Sequence, residues 1–255
     1  MAPTREKNDK IFIIDFDSTL VQVEALDELA LISLRGHPEC DSIVARIREI
    51  TRQGMEGEIS ISESLQQRLA LLEAKRSHIE QLVKQLKKQI SPSFRRNKTF
   101  FKKFAKQIFV VTSGFREYVV PVVQDLGIKP EHVFANTFRF DADGNVSGLD
   151  TSNVLSQERG KVEQLKRLKP KGRVYVIGDG LTDYQMKESG MVHEFIAFTE
   201  NIARQIVVDS ADRVAKTLEE VLYAENLPMK LSYPKSKIKV LLLEGIHPLA
   251  VESLR

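Results

Sequence analysis

Four short apolar runs limit what this chain can fold into. They are KIFIIDF at 10–16, QIFVVTS at 107–113, RVYVIGD at 173–179 and HEFIAF at 193–198. Each is continuous rather than alternating, the pattern of strands covered on both faces. Helical patterns lie between them, roughly at 93–106, 115–126, 158–168 and 182–189, with another near 219–225. Strands alternating with helices predict an α/β fold, a doubly wound parallel sheet of Rossmann type with helices on both faces.

Residues 21–90 break that rhythm. VEALDELALISL, CDSIVARIREITRQG, ISESLQQRLALLEA and HIEQLVKQLKKQI all read as helices. This predicts a helical cap at 21–90 inserted into a core made of 9–20 and 91–225, where it could close over the strand ends as a lid. FANTFRFDADGNVSGLD carries an Asp143–Gly144 turn between two extended runs and predicts a hairpin. The basic run FRRNKTFFKKFAK at 94–106 reads as a helix with a wet basic face. Its Phe94, Phe101 and Phe104 form the buried side.

Composition narrows the function classes. A formal charge of +3 over 255 residues gives little ground for a nucleic-acid partner. No apolar run approaches the ~20 residues of a membrane span, and the polar start MAPTREKNDK is no signal peptide. A single cysteine, Cys40, forbids an internal disulfide and suits a reducing cytoplasm.

The informative residues sit where the strands end. In open parallel sheets, ligands bind beyond the carboxyl ends of the strands. The first run ends in Asp15 and Asp17, the second in Thr112 and Ser113 before Gly114, the third in GDGLTD with Asp179 and Asp183. Lys161 opens the preceding helix beside Gly160. Taken singly, each acid could cap a helix. As a set they suit a hard cation held by oxygens, most simply Mg²⁺, which commonly also binds phosphate. Backbone N–H groups around Ser113 and Gly114 could face an anion, and Lys161 supplies a point charge. One carboxylate can attack phosphorus to form an aspartyl-phosphate. A second, two residues on, is expected to point the same way, because strand side chains alternate with period two, and it can move the proton.

DFDSTL, VVTSGF, Lys161 and GDGLTD together resemble the four motifs of haloacid dehalogenase-type phosphatases. MEGEISISESLQQRLALL at 55–72, with Glu24 shortly after the first motif, resembles the cap of their phosphoserine phosphatase branch. The resemblance covers about residues 9–225. It implies a Mg²⁺-dependent hydrolase of a small phosphomonoester, O-phospho-L-serine, in serine biosynthesis. Asp15 is then the nucleophile. Asp17 is the general acid and base, and its main-chain carbonyl also binds the metal. Asp179 is the third metal ligand and Asp183 supports the metal shell. Thr112 and Ser113 bind the phosphoryl group and Lys161 neutralises it. Glu24 and Arg68 recognise the substrate, and Thr182 counts with the substrate-binding residues. Ser113 departs from the family's usual glycine and adds a side chain beside the phosphate.

Beyond a linker at 226–236, KIKVLLLEGIHPLAVESLR at 237–255 resembles the start of D-3-phosphoglycerate dehydrogenase. This implies a fused dehydrogenase domain as partner, with a homodimer as another way to cover the apolar run. Two readings compete: a related phosphatase of another small phosphomonoester, and a non-catalytic module serving such a dehydrogenase. The intact acid set speaks against the non-catalytic module.

Overall fold

In the computed structural model, which describes residues 10–231, the apolar runs assemble into one six-stranded parallel sheet. The chain enters it with β1 (Lys10–Ile14). Helices α1 (Ala25–Ser33), α2 (Cys40–Glu56), α3 (Ile61–Ala70) and α4 (Arg76–Leu86) follow before the sheet resumes. Then come α5 (Pro92–Arg96), α6 (Lys98–Lys103), β2 (Ile108–Phe115), α7 (Arg116–Val123) and β3 (Val133–Asn136). A separate hairpin of β4 (Phe138–Phe140) and β5 (Val146–Leu149) precedes α8 (Gly160–Leu168), β6 (Arg173–Gly178), α9 (Leu181–Glu188) and β7 (Glu194–Phe198). The described part closes with α10 (Gln205–Ser210), β8 (Arg213–Ala215) and α11 (Leu218–Ala224).

The strand order β3-β2-β1-β6-β7-β8 puts β1 in the middle. The chain builds outward from β1 through β2 to β3, then crosses back to lay β6 on β1's other side, with Ile14 opposite Ile177. That reversal opens a crevice at the carboxyl ends of β1, β2 and β6. Alternation along β1 serves both faces: Phe12 and Ile14 enter one core, Ile11 and Ile13 the other. The first core continues without a break into α1–α4 through Leu29, Ile47, Leu65 and Leu82.

Local signals explain the helices between β1 and β2. Val44, Ile47, Ile50 and Gly54 line the buried stripe of α2, which ends on Gly57 in the left-handed conformation at φ 78°. Ser60 then caps α3, its hydroxyl accepting from Glu63 N at 3.1 Å. The hairpin is tied to this helical segment. Val146 N donates to Ala74 O at 2.8 Å, and the Arg76 guanidinium lies 3.8 Å from the centre of the Phe140 ring.

Two expectations need correction. The helix expected over 93–106 is two helices, α5 and α6, parted at Asn97. Its buried side chain is drawn to Glu219 Oε1 at 2.9 Å and accepts from Lys230 N at 2.7 Å. The short edge strands β3 and β8 carry too few residues to show a pattern of their own. The strand expected to run to Asp17 ends at Ile14, and Phe16–Leu20 form a wide turn closed by Val21 N on Phe16 O at 3.0 Å. The dehydrogenase-like stretch at 237–255, and the linker from 232 on, lie outside the described residues.

Candidate active site

Asp15 stands directly after β1, Asp179 directly after β6, and Asp183 in the first turn of α9. All three are buried, and one carboxylate oxygen from each lies within 4.8 Å of the others. The sheet register creates this cluster, because Asp15 N donates to Ile177 O at 2.9 Å and so draws the two strand ends level. A side chain at Gly178 would collide with Asp183, since its Cβ would lie 2.3 Å from Asp183 Cγ. The glycine is what lets Asp183 fold back beneath the strand end.

Lys161 is buried at the start of α8 and bridges two of these acids. Its Nζ donates to Asp183 Oδ1 at 2.8 Å and lies 3.0 Å from Asp15 Oδ1. Burial alone would lower the lysine's pKa, but Asp15 and Asp183 outweigh it and raise it, so the ammonium stays charged. Asp183 is pushed up to about 7, chiefly by burial and then by Asp15, against the pull of Lys161. Three buried carboxylates that converge this closely offer a divalent cation a set of hard oxygen donors, so Asp15, Asp179 and Asp183 fit Mg²⁺.

Asp17 stands apart from this triad. With β1 ended, strand alternation does not set its direction; instead its Oδ1 accepts from Ala25 N at 2.8 Å, at the start of α1. Burial, followed by the charge of Glu24, pushes Asp17 well above the usual carboxylate range. The wide turn is held in a constrained shape. Ser18 adopts φ 51°, a left-handed conformation rare for a residue with a side chain, and its hydroxyl donates to Glu24 Oε1 at 2.7 Å.

On β2, Thr112 is buried and its Oγ1 accepts from Gly114 N at 2.9 Å. The Gly114 N–H, expected to face an anion, is therefore occupied. The Thr112 hydroxyl keeps its own proton to donate. Ser113 is half-buried, and its carbonyl accepts from Asn136 Nδ2 at 2.9 Å. Arg68 is buried on α3, with Nη1 on Thr51 Oγ1 and Nε on Ser64 O, each at 3.3 Å. Its charge acts on Asp17, Asp27 and Tyr118. Thr182 is half-buried beside Gly180. The end of α2 reaches this rim: a Cβ on Gly57 would lie 2.9 Å from Leu181 Cδ1.

The profile of the haloacid dehalogenase-like hydrolase family matches residues 12–188. This chain belongs to that family. Among curated relatives, the phosphoserine phosphatase of Bos taurus is 32% identical over 213 residues, 82% of this chain and 90% of its own length. That of Homo sapiens is 32% identical over 200 residues, 77% of this chain and 84% of its own. Among solved structures, a phosphoserine phosphohydrolase-like protein from Francisella tularensis superposes with a TM-score of 0.75 at 30% identity, covering 84% of this chain and 99% of that one.

Two residues that sequence reading missed touch the acid cluster or the turn beside it. Arg204, buried just before α10, contacts Asp179 Oδ2 through Nη1 and reaches Glu24 Oε1 through Nη2 at 3.3 Å. Asn201 Nδ2 donates to Ser18 O at 3.0 Å and to Ser91 Oγ at 2.7 Å, locking the turn after Asp15. Both lie in TENIARQ after β7, a stretch without a local motif. Only its position at a fourth strand end of the same crevice marks it.

Proposed function

We propose that this chain is a Mg²⁺-dependent phosphomonoesterase that hydrolyses O-phospho-L-serine to L-serine and phosphate. The observation that carries this reading is the buried Asp15–Asp179–Asp183 triad with Lys161 bridging two of its members. The similarity to phosphoserine phosphatases supports the choice of substrate.

Asp15, Asp179, Asp183 and the main-chain carbonyl of Asp17 would hold Mg²⁺, which when bound supplies positive charge to the phosphoryl oxygens. Asp15 attacks phosphorus: its bond to phosphorus forms as the ester P–O bond breaks, giving an aspartyl-phosphate. The Phe16 N–H, which donates to Asp15 Oδ1 at 2.8 Å, and Lys161 fix the plane of that carboxylate for the attack. Asp17, whose pKa burial and then Glu24 push upward so that it holds a proton more readily, gives that proton to the departing serine oxygen. In the second step water attacks phosphorus, Asp17 takes the water's proton, and Asp15 is freed. Thr112, Ser113 and Lys161 bind the phosphoryl oxygens through hydroxyl, backbone and charge. Glu24 pairs with the substrate ammonium and Arg68 with its carboxylate. Thr182 lines the rim, and helices α1–α4 act as the lid.

The test is phosphate release from O-phospho-L-serine with Mg²⁺, for wild type beside Asp15→Asn. Turnover that needs Mg²⁺ and falls by at least about 10³-fold in the variant is expected, the usual scale for removing a nucleophile. Folded wild type that releases no phosphate from this substrate would refute the assignment.

A further inference from the structure

Tyr118 on α7 is fully buried, and its hydroxyl has no hydrogen-bond partner among the described residues. Its ring packs against Phe16, Phe115 and Phe138 at centroid distances of 6.0, 6.2 and 6.3 Å. A phenylalanine would serve that packing equally well, and burying a hydroxyl without a partner costs stability. The hydroxyl therefore needs a reason, and its direction supplies one. A methyl group placed on Gly114 would lie 3.0 Å from the Tyr118 hydroxyl, 3.1 Å from Asp17 Oδ2 and 3.3 Å from Thr112 Oγ1. Three oxygens thus border one small gap, which stays open because residue 114 is glycine. Burial, and next the charge of Asp17, push the Tyr118 phenol well up, in keeping with that proximity.

We infer that Tyr118 is a positioning residue for Asp17, its hydroxyl holding the Oδ2 side of the carboxyl group across the Gly114 gap. Ala25 N–H already holds the Oδ1 side at 2.8 Å. A phenol both donates and accepts, so it can partner a carboxyl group that gives up a proton in one step and receives one in the next. Such contacts tighten when substrate binds. The inference rests on the reading of Asp17 as general acid and base.

The experiment compares Tyr118→Phe with wild type on two substrates, with Asp17→Asn as reference. O-phospho-L-serine has a poor leaving group that needs a proton. In p-nitrophenyl phosphate the nitrophenolate leaves without one. In Tyr118→Phe, kcat/KM is expected to fall about 5- to 20-fold on phosphoserine, the scale of one hydrogen bond, and less than about 2-fold on the aryl ester. Tm should stay level or rise, because an unpaired hydroxyl is gone. Equal losses on both substrates, or none on either, while Asp17→Asn shows the split, would overturn the inference and leave the reading of Asp17 intact. Absence of the split in Asp17→Asn itself would refute that reading and the inference with it.

Discussion

Arg204 meets Asp179 at two points inside the acid cluster: Nη1 contacts the carboxylate Oδ2 and also donates to the main-chain carbonyl at 3.3 Å. The same guanidinium reaches Glu24. One side chain thus engages a carboxylate proposed for the metal and another proposed for the substrate ammonium. A cation seeking either must displace it or share.

Arg204→Ala is accordingly expected to tighten Mg²⁺ binding by about 3- to 10-fold, on the scale of about 1 kcal/mol for removing one nearby positive charge under partial screening. Calorimetric titration of the metal-free protein with MgCl₂ measures it. Weaker binding would show that Arg204 orients Asp179 more than it competes for it.

Gly178→Ala tests the packing beneath the cluster. The added Cβ would lie 2.4 Å from Asp183 Oδ2, so Asp183 must move. A cost of about 1–3 kcal/mol in urea unfolding is expected, the usual scale of overpacking. Mg²⁺ affinity should fall at least about 10-fold, since one carboxylate leaves the triad. Unchanged affinity would remove Asp183 from the metal site.

Arg68→Ala separates recognition from chemistry. Loss of a charge-assisted pair to the substrate carboxylate should raise KM for O-phospho-L-serine about 10-fold or more. p-Nitrophenyl phosphate has no such carboxylate, and its hydrolysis should change little. Steady-state kinetics on both substrates decides; equal losses would argue for a structural role through Thr51 and Ser64.

Asp27 gives a pH signature of stability. Buried on α1, it is pushed up to about 6, mainly by burial and then by Glu24, although the Thr51 hydroxyl donates to it at 2.8 Å. The folded state therefore holds this proton more tightly than the unfolded chain does. Its contribution is fully present below the unfolded carboxylate pKa, is lost as pH rises toward about 6, and is flat above. Asp27→Asn keeps an acceptor for Thr51 but carries no charge. Its stability relative to wild type should rise by about 2–3 kcal/mol between pH 4 and 7, from roughly two pKa units. Urea unfolding at several pH values checks this; a flat difference would refute it.

Much of this molecule was legible in the chain. The β-rich apolar runs at 10–16, 107–113, 173–179 and 193–198 became β1, β2, β6 and β7, because strands buried on both faces must be apolar throughout. Asp143–Gly144 lies in the hairpin turn, where Gly144 takes φ 81° and Asp141 Oδ1 accepts from Asn145 N at 2.8 Å. The acids at the strand ends could be named from sequence because a parallel sheet puts all its carboxyl ends on one edge.

What sequence could not supply was direction and partnership. Asp15 and Asp17 are two residues apart, yet one joins the triad and the other turns to Ala25, because β1 already ends at Ile14 and the wide turn begins at Phe16, between them. The short strands β3 and β8 exist because a neighbour's unpaired edge offers hydrogen bonds to whatever chain lies beside it. Arg204, Asn201 and Tyr118 carry no motif. They matter because the folded sheet brings a loop after β7 and a helix after β2 against the turn that follows Asp15. Local patterns record which residues must be buried and where strands end. Which side chains then meet depends on contacts between segments far apart in the chain, and only tertiary structure sets those.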